Sequence, residues 1–214
     1  MAVKGSPERG GHRQRQAEAT KRAVASVARA LFAEQGYVAT TISAIAAESD
    51  IPVQTIYSAF GSKAGILDKI TELWMAEAQT TTLAAAYLEE PDPAHQLRML
   101  AGLNRRQMEV GSDVVAIYRE AAASDPHMAA TMRNVLAARE RELRKLVDAV
   151  APCLRRDLTP EAALDVVLAL TLPEVYATLV VERGWTPRRY ETWLGDSLVH
   201  QLLRSDVSGS DIGK

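Results

Sequence analysis

Residues 41–63 read TISAIAAESDIPVQTIYSAFGSK. Ile42, Ile45 and Ala46 recur at the spacing of one helical face over 41–49, and Ile56 and Phe60 do the same over 52–60. Between them lies Ser49-Asp50-Ile51-Pro52. A short polar side chain such as Asp50 tolerates the left-handed backbone that a tight turn needs, and Pro52 suits the first turn of the helix that follows. Thr40 or Thr41 can cap the first helix, and Ile51 is expected to point inward. Two helices this short cannot hide their own apolar faces, so the stretch demands a third helix to pack on.

Residues 16–35 supply it. Val24, Val27, Ala28, Leu31 and Phe32 follow the i, i+3, i+4, i+7, i+8 rule of an amphipathic helix, and Gly36 gives a stop. Three helices in this order form the tri-helical helix-turn-helix plan, whose last helix enters the major groove of double-stranded DNA. The outward residues of 52–60 suit that place. Gln54 can bond an adenine edge twice, and Val53 and the Thr55 methyl can touch a thymine methyl, with Pro52 and Ser58 beside them. Tyr57, Lys63 and Thr41 carry the hydroxyl and ammonium groups that grip phosphates and fix register.

The run Phe32…Gly36-Tyr37…Thr40-Thr41-Ile42…Ile45-Ala46…Ile51-Pro52-Val53-Gln54-Thr55-Ile56-Tyr57-Ser58-Ala59-Phe60-Gly61-Ser62-Lys63 resembles the DNA-binding domain of the tetracycline-repressor-like (TetR) family over roughly residues 16–70. The resemblance implies a dimer, a ligand pocket in a larger C-terminal domain, and repression relieved by a small molecule. It also puts Thr41, Tyr57 and Lys63 at the family's phosphate-contact positions. Asp50 stands where the family commonly has Gly, and Pro52 where it has a small capping residue. The run from Leu172-Pro173-Glu174-Val175-Tyr176 through Arg183-Gly184-Trp185 to Trp193-Leu194 is similar to the final helices of one branch of the family.

Outward from this segment the chain is expected to be all-α. Aromatics make up only 5% of it, and no alternating stretch indicates a sheet. Helical periods continue from Ser62-Lys63 toward residue 88, then over about 94–110, 112–123, 127–150, 160–183 with a kink or break at Pro173, and 187–203. The expected organisation is a flexible basic arm at 1–14, the helix-turn-helix domain at 15–62, a helical bundle for ligand binding and dimerisation at 63–205, and a flexible tail at 206–214. Residues 1–70 carry nine Lys and Arg against six Asp and Glu, a net of +3, and the remainder carries 16 against 21, a net of −5. A basic front on an acidic body fits a front that meets phosphate.

The homodimer is expected to form through the last two helices. These carry Val166, Val167, Leu170, Val175, Leu179, Trp193, Leu194, Leu198, Leu202 and Leu203. A pocket for a small, largely apolar effector is expected among Trp74, Leu103, Met108, Tyr118, Met128, Met132 and Tyr176, where adaptable Met side chains meet Tyr hydroxyls in an apolar setting.

Enzyme chemistry finds no footing. His12, His95, His127 and His200 fall in no metal spacing, the lone Cys153 offers no cluster, and no phosphate loop or nucleophile elbow is present. Pairs such as Glu120 with His127 show no acid–base pattern. No catalytic residue, metal or cofactor is expected. The longest apolar run, Val166–Pro173, is short of a membrane span, and the basic N-terminus has no apolar stretch of a signal peptide behind it, so a cytoplasmic location is expected.

Overall fold

A computed structural model describes residues 7–205 of the chain, with side chains from Gly11 onward. Ten α-helices follow one another among these residues: α1 Pro7–Gln35, α2 Ile42–Ser49, α3 Val53–Phe60, α4 Lys63–Glu77, α5 Thr80–Glu89, α6 Pro93–Ser124, α7 Pro126–Val150, α8 Pro160–Leu170, α9 Pro173–Tyr176 and α10 Pro187–Leu202. A 3-10 turn at Ala151–Cys153 follows α7, and α9 widens into π-type turns over Ala177–Glu182. The only β pairing among the described residues is one isolated antiparallel bridge between Leu154 and Leu203. The all-α reading holds.

Particular boundaries differ from the sequence reading. The basic arm expected over 1–14 is helical from Pro7, because proline suits a first helical turn and Arg, Gln, Ala and Glu dominate the residues that follow. Residues 1–6 of that arm, and the tail at 206–214, lie outside the described residues. The fourth helix was expected to reach residue 88 but stops at Glu77. Gln79 then takes a left-handed conformation at φ 55° before α5 starts. Arg106 donates to the terminal carbonyls of Glu77 and Ala78 at 3.0 and 3.1 Å, which satisfies a helix end in mid-pattern. Gly111 was expected to separate two helices and instead kinks the single element α6 at φ −158°, ψ 27°. A Cβ at Gly111 would stand 2.0 Å from Trp74 Nε1, so the close approach of the indole is what requires glycine there.

The fold divides into two compact units. Among the described residues, one runs from 7 to 73 together with 116–129, and the other comprises 74–115 together with 130–205. The expected break at 62/63 therefore lies eleven residues before the end of the first unit's leading segment, and that unit also takes in the end of α6 and the start of α7.

In the first unit Val24, Ala28, Phe32, Ile45, Ile56, Ile66, Leu67 and Ile70 are buried. Burying each of these side chains other than Ala28 contributes on the order of 1.5–3 kcal/mol. The Phe32 and Tyr37 rings meet at a centroid distance of 5.0 Å. The second unit buries a separate core built from Leu97, Leu103, Met108, Leu146, Leu164, Val167, Tyr176, Tyr190, Leu194, Leu198 and Leu202 among others. The break expected at Pro173 is present: α8 stops at Leu170, and Pro173 opens α9, where its missing N–H does no harm. No single helix among the described residues is long and apolar enough to cross a membrane.

Candidate nucleic-acid interface

The helix-turn-helix is held by local chemistry. Thr41 caps α2, with its side-chain oxygen accepting the Ala44 N–H at 3.1 Å. The Thr41 O–H remains a donor that can reach a phosphate. Asp50 ends α2 in the left-handed conformation, φ 53°, ψ 33°. Pro52 then takes the N-cap of α3, with its carbonyl accepting from Thr55 at 2.9 Å and Ile56 at 3.1 Å. Gly61 closes α3 at φ 74°, and the Ser62 hydroxyl accepts from Gly65 N at 3.2 Å to start α4.

These caps rotate α3 so that its two faces differ. Ile56 is 1% exposed, whereas Tyr57 is 47% exposed. Pro52, Val53, Gln54, Thr55 and Ser58 are also exposed, and Ile51 and Phe60 are half-buried. Large side chains left in water on a short helix signal a surface kept for a partner. Every residue expected to read bases is therefore exposed, as are Tyr57 on α3 and Thr41 at the start of α2.

Lys63 is different. Its ammonium donates to the backbone carbonyls of Tyr37 at 2.6 Å, Val38 at 3.3 Å and Thr40 at 3.0 Å, and lies 4.3 Å from the centre of the Tyr37 ring. An ammonium has three donors, so in this structure all of them serve the turn after α1. Burial pushes its pKa down, and the nearby Glu120 carboxylate opposes that. Lys63 thus holds the scaffold on which α2 and α3 stand.

The other half of this clamp was invisible in the sequence. Glu120, near the end of α6, accepts the Tyr37 N–H at 2.9 Å and the Val38 N–H at 3.2 Å. These two backbone bonds, and then Lys63, hold its carboxyl below the usual range. Gly36 makes the approach possible. Its φ is +87°, and a Cβ there would lie 2.9 Å from Glu120 Oε1. Burial, with Asp125 and Asp68 nearby, pushes the Tyr37 phenol up to about 12. Lys69 adds a surface pair to Glu18 at 3.0 Å, tying α4 to α1. Glu120 lies more than eighty residues from the turn it serves, so no spacing rule could have found it.

The residues expected to line an effector pocket are not all gathered in one place. Leu103, Met108 and Tyr176 are buried in the second unit's core. Trp74 is half-buried in the same unit and donates from Nε1 to the Gln107 carbonyl at 2.8 Å. Met132 is half-buried on α7. Tyr118 and Met128 are buried in the first unit instead.

Comparison with known proteins agrees with this architecture. Residues 25–70 match the family described as "Bacterial regulatory proteins, tetR family". No curated protein sequence matches the chain. Among solved structures, NalD, the secondary repressor of the MexAB-OprM multidrug efflux pump in Pseudomonas aeruginosa, is 20% identical with a TM-score of 0.67, covering 88% of this chain and 99% of its own. A candidate transcriptional regulator from Saccharomonospora viridis, solved with choline, is 18% identical with a TM-score of 0.68 over 87% and 99% of the two chains. SmeT, solved with triclosan, is 19% identical with a TM-score of 0.69 over 88% and 94%. At these identities the likeness is one of fold.

Proposed function

We propose that the chain, which belongs to the tetR family of bacterial transcriptional regulators, is a cytoplasmic repressor that binds a palindromic operator as a homodimer and is released by a small effector. The observation that carries this reading is the two-faced α3: Ile56 is sealed in the core while Val53, Gln54, Thr55, Tyr57 and Ser58 stand in water. Gln54 reads a base edge, Val53 and Thr55 contact methyl groups, and Tyr57, Ser58, Pro52 and Thr41 pack along the backbone. Lys63 adds positive charge near the phosphates while it holds the Tyr37–Thr40 carbonyls.

A dimer is needed for two recognition helices to reach half-sites about 34–36 Å apart or a multiple of that. Of the apolar residues expected to join subunits, Val167, Leu194, Leu198, Leu202 and Leu203 are already buried within one. What remains for a partner copy is the half-buried set Val166, Leu170, Val175, Leu179 and Trp193, with Leu172 and Val181 exposed beside them. The effector binds in the second unit, whose core holds Leu103, Met108 and Tyr176 with Trp74 and Met132 partly covered. Its differential affinity for the non-binding conformation sets how far operator affinity falls. NalD is a repressor, and the choline and triclosan complexes show that proteins of this fold hold small molecules, which supports extending both roles to this chain.

The test is selection of bound duplexes from a random library, followed by titration of the winner across salt with the wild type and with Gln54→Ala/Tyr57→Phe. A palindromic winner, a steep salt slope and loss of discrimination in the variant are expected. Weak, sequence-blind binding that the variant leaves unchanged would refute it.

A further inference from the structure

Four polar side chains from separate segments meet inside the second unit. Tyr190 of α10 donates its hydroxyl proton to Asn104 Oδ1 of α6 at 2.7 Å. Asn104 Nδ2 donates to the Thr171 carbonyl, just past α8, at 3.1 Å. Arg139 of α7 donates from Nη2 to that same carbonyl at 3.1 Å and to the Thr171 hydroxyl, which itself donates to the Val167 carbonyl at 2.6 Å. Tyr190, Asn104 and Thr171 are buried, and Arg139 is half-buried.

Every acceptor in this group is neutral. The ion pairs among the described residues give Arg139 no carboxylate, so a largely desolvated guanidinium stands without a counter-charge. The carbonyl end of α8, where Thr171 is the C-cap, offsets part of it. A helix end carries at most about half a charge, so a net positive charge remains. Burial accordingly pulls the Arg139 pKa below its ordinary value, although a guanidinium stays cationic at neutral pH.

Arginine has five N–H donors, and Arg139 spends only those of Nη2. The hydrogens on Nε and Nη1 meet no acceptor among the described residues, and neither nitrogen is sealed from solvent. One turn earlier on the same face of α7, Val135 and Leu136 are 43% and 51% exposed. A half-buried cation with unspent donors, one helical turn from two uncovered aliphatic side chains on the same element, fits an acid with an apolar tail.

We propose that Arg139, Val135 and Leu136 bind an amphipathic carboxylate, with Arg139 on the carboxylate and the aliphatic pair against the tail, and that this is the effector class of the regulator. The second clause rests on the effector-release reading above.

The experiment is isothermal titration of the full chain with decanoate, decan-1-ol and decyltrimethylammonium, each below its aggregation limit. Wild type, Arg139→Met and Arg139→Gln are compared, with operator binding read by fluorescence anisotropy with and without decanoate. Arg139→Gln removes the charge but keeps a polar side chain, and a thermal unfolding midpoint measured for each variant separates loss of charge from loss of fold. Decanoate is expected to bind at least ~10-fold more tightly than the alcohol, and both variants to lose that preference while keeping wild-type operator affinity. Equal binding of decanoate and decanol, or a preference that both variants retain, would overturn the proposal and leave the DNA reading standing. Decanoate binding that never alters operator affinity keeps the site but overturns its role as effector class. If no operator exists at all, the DNA reading fails while the titration still decides the site. A change of oligomeric state in Arg139→Met with no change in decanoate binding overturns the proposal in favour of an interface between copies.

Discussion

Gly36→Ala tests the clamp on the turn after α1. Two costs add. At φ +87° a residue with a Cβ meets its own backbone, which costs roughly 1–2 kcal/mol. The new Cβ also lies 2.9 Å from Glu120 Oε1 and 3.3 Å from Oε2, so the carboxylate must retreat from the Tyr37 and Val38 N–H groups it now meets at 2.9 and 3.2 Å. Such part-exposed bonds are worth about 0.5–1.5 kcal/mol each and only part is lost, so the total comes to about 2–3 kcal/mol. In a chain of this size that lowers the unfolding midpoint by about 4–12 °C. On a Glu120→Ala background the second cost disappears and only the backbone cost remains. The assay is thermal unfolding by far-UV circular dichroism at one protein concentration, for wild type, both single variants and the double variant. A coupling of about 0.5–1 kcal/mol between the sites is expected. A midpoint shift below about 1 °C for Gly36→Ala, or an equal shift with and without Glu120, would show that the close approach carries no energy.

Other perturbations follow from the same contacts. Thr41→Ala removes the α2 N-cap, which should cost about 1 kcal/mol by chemical denaturation, with Thr41→Ser recovering most of it; an unchanged denaturation midpoint in Thr41→Ala contradicts this. Because Glu120 has a lowered folded-state pKa, its contribution is present above the unfolded value near 4.5 and is lost as pH falls through the folded value. Thermal unfolding scanned from pH 6 to 3 should therefore show a shallower acid slope in Glu120→Gln than in wild type, and equal slopes would count against the clamp. Tyr190→Phe leaves the buried Asn104 Oδ1 without its donor and should destabilise the second unit by about 1–3 kcal/mol, read by tryptophan fluorescence in denaturant because Trp185 and Trp193 stand beside it. A neutral result would mean that the polar group is not coupled to that core.

The sequence by itself determined the helix-turn-helix and the all-α class. Each depends on contacts within a few residues: the period of Ile42, Ile45 and Ala46, the cap at Thr41, the left-handed Asp50, and the prolines at 126, 160, 173 and 187 that each open a helix. Such features persist in any fold that keeps the segment helical. What only tertiary structure decided depends on groups brought together from far apart. The α4–α5 break is legible only once Arg106 reaches the carbonyls of Glu77 and Ala78, and the kink at Gly111 only once Trp74 occupies the space of a side chain. Lys63 looked like a surface cation until three carbonyls claimed its ammonium, and Glu120 like an ordinary exposed acid until two N–H groups claimed its carboxylate. A helical period says which face is covered, and it cannot say which distant backbone group will satisfy a charge. That is decided only when the chain has closed and every buried donor and acceptor must find a partner.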